Sequence, residues 1–253
     1  MKKTIRTWMN FLFIAGFVMI LTTSCKKNES ATDPTQTTND TVKDIDGNSY
    51  TTVTIGSQVW MVENLKTTKY RNGDLIANIT DNTQWSKLKT GAYCNYNNDI
   101  AIGNKHGKLY NWYVVNDSHN IAPIGWHVPS EAEWTKLTTY IGANLGTSGS
   151  INKALASKTD WVNSTETGAV GNDLSKNNTS GFTALPGGHR GWDYLGQIKG
   201  AYLEVGYEGH WWLSDEEDEY GFSRELRYND SDWNVQRGDQ LKEDGNSIRC
   251  IKD

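Results

Sequence analysis

No apolar run in this chain reaches the roughly 18 residues that a membrane-spanning helix requires; the longest, Trp8–Leu21, is broken at Asn10. No two of His106, His119, His127, His189 and His210 stand four apart and no HExxH occurs, so spacing points to no zinc motif and no metal ligand is assigned. A phosphate loop is missing too. Gly187-Gly188-His189-Arg190 lacks the glycine spacing and the following Lys-Ser/Thr of such a loop, and reads as a tight backbone passage. No basic patch argues for nucleic acid: the formal charge is −5, and −8 once Lys2, Lys3 and Arg6 are removed. Neither an internal repeat nor the helix–strand alternation of a doubly wound enzyme is visible. Cysteine is scarce, with three in the chain.

What the chain does have begins with a leader. Lys2, Lys3 and Arg6 precede the apolar run, and Leu21-Thr22-Thr23-Ser24 then lead into Cys25, the layout of a secretory signal over 1–24. The junction resembles the lipobox of bacterial lipoproteins, in which the Cys becomes the lipidated first residue; ordinary cleavage leaving a free Cys25 thiol is the alternative. Attachment through the lipid implies a membrane partner and an envelope location, expected at the outer membrane because Lys26 rather than Asp follows the Cys. The periplasmic or surface face stays open. With Cys25 acylated, Cys94 and Cys250 remain as an even pair in an oxidising compartment, which predicts a disulfide; two unpaired buried thiols are the alternative.

Residues 25–41 are polar and hold no aliphatic residue larger than Ala31, so they form a tether with a reach of about 20–25 Å. The folded domain spans 42–253 and packs with aromatics: all but one of the eleven Trp and all twelve Tyr fall within it. Its clearest helix follows Pro129. Ser130 and Glu133 make a capping box, Trp134, Leu137, Tyr140 and Ile141 make an apolar face, and Gly142 is placed as the stop. Ser150–Lys158 is a second, weaker helix. Val42–Leu65 reads as paired strands turning at Asp46-Gly47 and Gly56-Ser57, and Ala92–Cys94 as a short strand. Leu109–Val115 is dense in β-formers, and four late strands are expected at Leu195–Tyr202, His210–Ser214, Ser223–Tyr228 and Ser247–Ile251.

Seven segments in order carry a family resemblance: DIDGNSYTTVTIGSQVWMVENLKTTKY, GAYCNYNND, GKLYNWYVV, GWHVPSEAEWTKL, GFTALPGGHR, HWWLSDE and SIRCIKD. Together they resemble the Fibrobacter succinogenes major paralogous domain, found in Bacteroidetes-type lipoproteins and similar in appearance to C-type-lectin-like and formylglycine-generating-enzyme-like folds. The resemblance implies an α+β, C-type-lectin-like fold: two helices packed on short antiparallel sheets, with long loops and neighbouring termini. It also implies a ligand face built from late loops and strands. A formylglycine-generating enzyme needs a second thiol near Cys250, which this sequence lacks.

The expected ligand face therefore draws on Tyr220, Phe222, Arg224, Arg227, Tyr228, Asn229, Asp230, Trp233 and Asn234, residue types that make rigid yet adaptable contacts. Arg224, Leu226 and Tyr228 share one side of a strand. If Leu226 is core, that side is inward and the contacts shift to Glu225 and Arg227. The expected function is non-enzymatic binding of an extracellular protein or glycan; an envelope-assembly role is the alternative. No catalytic residue and no cofactor is assigned, though a structural calcium is open on fold analogy. The acidic run Asp215–Glu219 lacks the alternate spacing that points oxygens at one ion.

Overall fold

The computed structural model describes residues 41–144, 150–193, 196–231 and 236–253. Cys25, the expected signal, all but the end of the tether, Trp233 and Asn234 lie outside the described residues. Chain order begins with β1 (Thr41–Lys43), β2 (Ser49–Ile55) and β3 (Gln58–Met61), the expected early strands. Ile55 pairs with Gln58 across Gly56-Ser57, a two-residue hairpin. There follow β4 (Ala77–Asn78), α1 (Asn82–Trp85), β5 (Ala92–Cys94), α2 (Ile100–His106), β6 (Leu109–Tyr110) and α3 (Trp112–Val115). Asp81 caps α1 by accepting from the Gln84 N–H at 2.8 Å, and Asp99 caps α2 by accepting from Ala101 at 2.7 Å.

The β-rich stretch Leu109–Val115 divides after two strand residues. Asn111 turns away, its side chain accepting from the Ala92 N–H at 3.0 Å and donating to the Thr90 carbonyl at 2.8 Å. Trp112 then buries its ring and donates from Nε1 to the Leu213 carbonyl at 3.0 Å. Packing overrides intrinsic β preference here.

β7 (Trp126–His127) leads to α4 (Glu131–Asn144), the longest helix among the described residues. The capping box forms as expected: the Ser130 N–H and hydroxyl both reach Glu133 Oε2 at 2.8 Å, and the Glu133 N–H returns to Ser130 Oγ at 3.3 Å. Trp134, Leu137 and Ile141 are buried, with Tyr140 packed beside them. Gly142 does not stop the helix. A Cβ there would stand 3.3 Å from Ile151 Cδ1, so this glycine lets α5 (Ile151–Leu155) pack close against α4.

The later elements are β8 (His189–Gly191), β9 (Ala201–Leu203), β10 (Glu208–Glu217), β11 (Tyr220–Arg227), β12 (Gln236–Leu241) and β13 (Ile251–Lys252). The sheets run β1-β2-β3-β13-β7, β10-β11-β12, β4-β5-β6 and β8-β9. All pairs are antiparallel except β4–β5. Ile251 pairs with Trp60 and with His127, so β13 closes the sheet that the early strands begin. The architecture is α+β, with five α-helices and several small sheets among the described residues, more helices than the two expected.

Aromatics fill the centre. Trp60, Trp134 and Phe182 meet edge-to-face with centroids 5.5–5.7 Å apart, and Trp134 stacks on Trp211. Two arginines are fully buried within this framework. Arg190 lies over Trp85 and Tyr202 at 4.4 and 4.6 Å and donates to Gly200, Ile79 and Thr80 carbonyls. Arg249 lies over Phe182 and donates to Asn64 Oδ1 and to the Phe182 and Thr183 carbonyls. Burial lowers its pKa to about 9. Carbonyl cages satisfy the guanidinium donors that burial strips of water.

The expected Cys94–Cys250 disulfide is absent: both thiols are free and buried. Cys250 sits in the cluster around Tyr50, Tyr110 and Trp212, and Cys94 in a separate one with Trp85, Tyr96 and Leu109. Each thiol packs as a small apolar group within its own cluster.

Candidate functional site

The late segment is a three-stranded sheet whose two faces have different fates. On β11, Leu226 is fully buried and Arg224 is 6% exposed, and Phe222, with Tyr228 just past the strand, packs against the main aromatic cluster. Arg224 Nη2 reaches Glu131 Oε1 at 3.1 Å, tying the sheet to the first turn of α4. Asp215 does the same from β10, accepting from the Glu131 N–H at 2.6 Å. This corrects the expectation that Arg224, Phe222 and Tyr228 form an exposed contact face: Leu226 is core, so their side is inward. Tyr220 and Asn229 stay exposed and Asp230 is half-buried. The acidic run is used locally, with Glu216 paired to Lys242 and the Asp218 carbonyl accepting from the same ammonium.

The opposite face of the hairpin gathers charge. Glu208 stands opposite Arg227 and His210 opposite Glu225. Arg227 Nε approaches Glu208 Oε1 at 3.3 Å and its Nη2 approaches Glu225 Oε1 at 3.0 Å. His210 Nε2 lies 2.9 Å from Glu208 Oε2, while Nδ1 accepts from Gln240 Nε2 at 3.0 Å. That pattern places the proton on Nε2.

His189 arrives from β8. Gly188, at φ +64, donates to the Glu208 carbonyl at 2.8 Å, and a Cβ there would meet the Leu203 carbonyl at 2.4 Å. This backbone passage sets the two imidazole rings 4.4 Å apart. His189 Nδ1 is enclosed and has no hydrogen-bond partner, a loss of about 1–3 kcal/mol for a buried polar atom. Burial and the neighbouring imidazole push His189 down to about 3, and burial takes His210 down to about 4. Among the described residues, His189, Glu208 and His210 are the one group of three or more ligand-type side chains that converges, their ligand atoms all within 4.8 Å. Sequence reading left the histidines dispersed. Glu208-x-His210 on one side of a strand was a legible signal; the approach of His189 through Gly188 was not.

A concavity lies at β4, β5 and the start of α2. Asn78, Thr80, Tyr93, Asn95, Asn98, Ile100 and Lys108 line about 300 Å³. Lys108 Nζ donates to Asn95 Oδ1 at 3.1 Å and lies 5.1 Å from the Tyr93 ring centre. No carboxylate is within ion-pair distance of it among the described residues, and burial lowers its pKa. Asn97 and Asn98 are both left-handed, and Tyr202 fixes Asn98 by donating to Oδ1 at 2.8 Å. A larger groove of about 470 Å³ beside α4 presents a mainly apolar surface.

No helix among the described residues is long and apolar enough to cross a membrane. No curated protein and no solved structure gives a significant match. The family model described as the Fibrobacter succinogenes major domain, however, matches residues 53–252, from β2 through the closing strand, covering the histidine–glutamate cluster, the amide pocket and both buried arginines. The chain belongs to the Fibrobacter succinogenes major domain family.

Proposed function

We propose that this chain is an exported, lipid-anchored binding module that recognises a surface glycan, on a fold of the C-type-lectin-like kind. The pairing of β13 with β3, which brings the two ends of the domain into one sheet, supports that fold reading. The ligand reading rests on the pocket of Asn78, Tyr93, Asn95, Asn98 and Lys108. A sugar ring needs an aromatic face and several amide groups that both donate and accept. Tyr93 and the three asparagines supply them. The half-buried Lys108 ammonium adds a preference for an acidic sugar, since a carboxylate would replace hydration that burial has removed. Fixed asparagine conformations reduce the ordering cost of binding.

The contact region thus moves from the late strands to residues 78–108, with Tyr202 as the late-chain contribution. Binding of the intact protein to a broad glycan array tests the reading. Asn78→Ala and Lys108→Met are each expected to weaken the strongest hit about tenfold while leaving thermal stability nearly unchanged. If the intact protein binds no glycan, the envelope-assembly reading takes its place. Anchoring is tested separately. A fatty-acid probe should label the protein, and Cys25→Ala should abolish the label; a labelled variant refutes the anchor.

A further inference from the structure

We propose that His189, Glu208 and His210 form a binding site for one divalent transition-metal ion, best matched to zinc. The ligand set is two imidazole nitrogens and one carboxylate oxygen, a combination that suits zinc and leaves a fourth position for water. Magnesium and calcium prefer all-oxygen sites and are poorly served. Two independent observations point to the ion. The three ligand atoms already converge within 4.8 Å. His189 Nδ1 is enclosed without a hydrogen-bond partner, whereas Glu208 and His210 are each paired.

Bonds of about 2.0–2.2 Å around tetrahedral zinc place ligand atoms about 3.3–3.5 Å apart. The His210–Glu208 edge, at 2.9 Å, must open slightly while His189 closes in. Side-chain rotation suffices, because β8 and β10 are already fixed by the Gly188–Gly209 bridge. When His210 Nε2 takes the ion, its proton moves to Nδ1 and needs an acceptor. The Gln240 amide that now donates to Nδ1 must turn aside, and Glu225 Oε2, 3.7 Å from Nδ1, can then accept that proton in the carboxylate–imidazole–metal relay common at such sites. Arg227 is the competitor, holding Glu208 and Glu225 through its guanidinium. Its side chain is 45% exposed and can swing into solvent when the ion enters. The ion would staple β8 to the β10–β11 hairpin.

The test uses the purified full-length protein stripped with a chelator and titrated with Zn2+ calorimetrically and with Co2+ spectroscopically. One ion per chain is expected, with a Co2+ visible spectrum of tetrahedral type and a raised unfolding midpoint. His189→Gln and Glu208→Gln should each weaken binding at least tenfold, and the rise in unfolding midpoint on adding Zn2+ should be lost in both. Arg227→Gln should tighten binding several-fold, because the competing cation is gone. His119→Gln, at a surface histidine beside Asp117 and Asp74, should change nothing. Less than one ion per wild-type chain overturns the proposal. So does retention of affinity in both His189→Gln and Glu208→Gln, or loss of it in His119→Gln. Should either ligand variant fail to fold, the wild-type stoichiometry and Co2+ spectrum decide.

Discussion

Single residues set the chemistry that can be read most directly in solution. His127 is hydrogen-bonded on both ring nitrogens, to Asp253 at 2.7 Å and Glu133 at 2.9 Å. Burial works against its charge, but those two carboxylates outweigh it and raise the pKa above the usual value. A raised folded-state value means that the stabilisation is complete below the unfolded pKa of about 6.5 and is lost as pH rises through the folded one. His127→Gln should therefore flatten the decline in stability above about pH 6.5, as followed by thermal melts across pH. An unchanged pH profile would show that the two contacts carry no linkage. Cys94 and Cys250 make a second residue-scale case. Burial raises both thiols, so neither forms an appreciable thiolate at neutral pH. Alkylating reagents should modify neither until the protein is unfolded, and reductant should leave the melting temperature unchanged. Cysteine counting points to a disulfide from parity and an expected export signal, whereas enclosure in two separate clusters is a property of packing.

Elements show where sequence reading succeeds and where it stops. The start of α4 was legible because Ser130, Glu133 and the spacing of Trp134, Leu137 and Ile141 are local signals. Ser130→Ala should cost about 0.5–2 kcal/mol, and Trp134→Ala about 3–5 kcal/mol as a buried aromatic among Trp60, Phe182 and Trp211. Urea unfolding with exposed Lys136→Ala as the reference measures both; equal midpoints for Trp134→Ala and Lys136→Ala would displace that face from the core. The far end of α4 was misread because Gly142 serves contact with Ile151, a neighbour that spacing within the helix cannot reveal. On β11, strand parity correctly grouped Phe222, Arg224, Leu226 and Tyr228, but which side met the core depended on α4. Tyr228→Ala should accordingly lower stability by about 1–3 kcal/mol, as a partly buried aromatic lost from the core edge. Chemical unfolding reads this directly, and a neutral result would return Tyr228 to the surface.

At the scale of the whole molecule, the small sheets are joined by contacts between residues remote in sequence. Arg190 links β8 to the carbonyls around α1, and Arg249 links the late strand to Asn64 and the Phe182 loop. Such links leave little periodic trace in the sequence. The amide pocket lies within residues 78–108, but the β4–β5 pairing that sets Asn78 beside Tyr93 leaves no periodic trace either, nor does the meeting of His189 with Glu208 and His210. The largest dependence falls on β13. Deleting Ile251–Asp253 removes the pairings with Trp60 and His127, the buried Ile251 and the Asp253 contact to His127 together. The truncated protein should be cleaved by protease at least tenfold faster than the full chain in native conditions. Equal resistance would mean that the five-stranded sheet holds without its closing strand.

The place of β13 also bears on how neighbouring copies behave while they fold. Until it arrives, β3 presents an open edge, and that edge offers the same backbone groups to a β13 from any copy. Under the proposed lipid anchor, chains on one surface would meet at high local concentration, and exchange of closing strands would compete with self-closure. Domain-swapped dimers should accordingly accumulate when the protein is refolded at high concentration, and slow dilution should return the monomer.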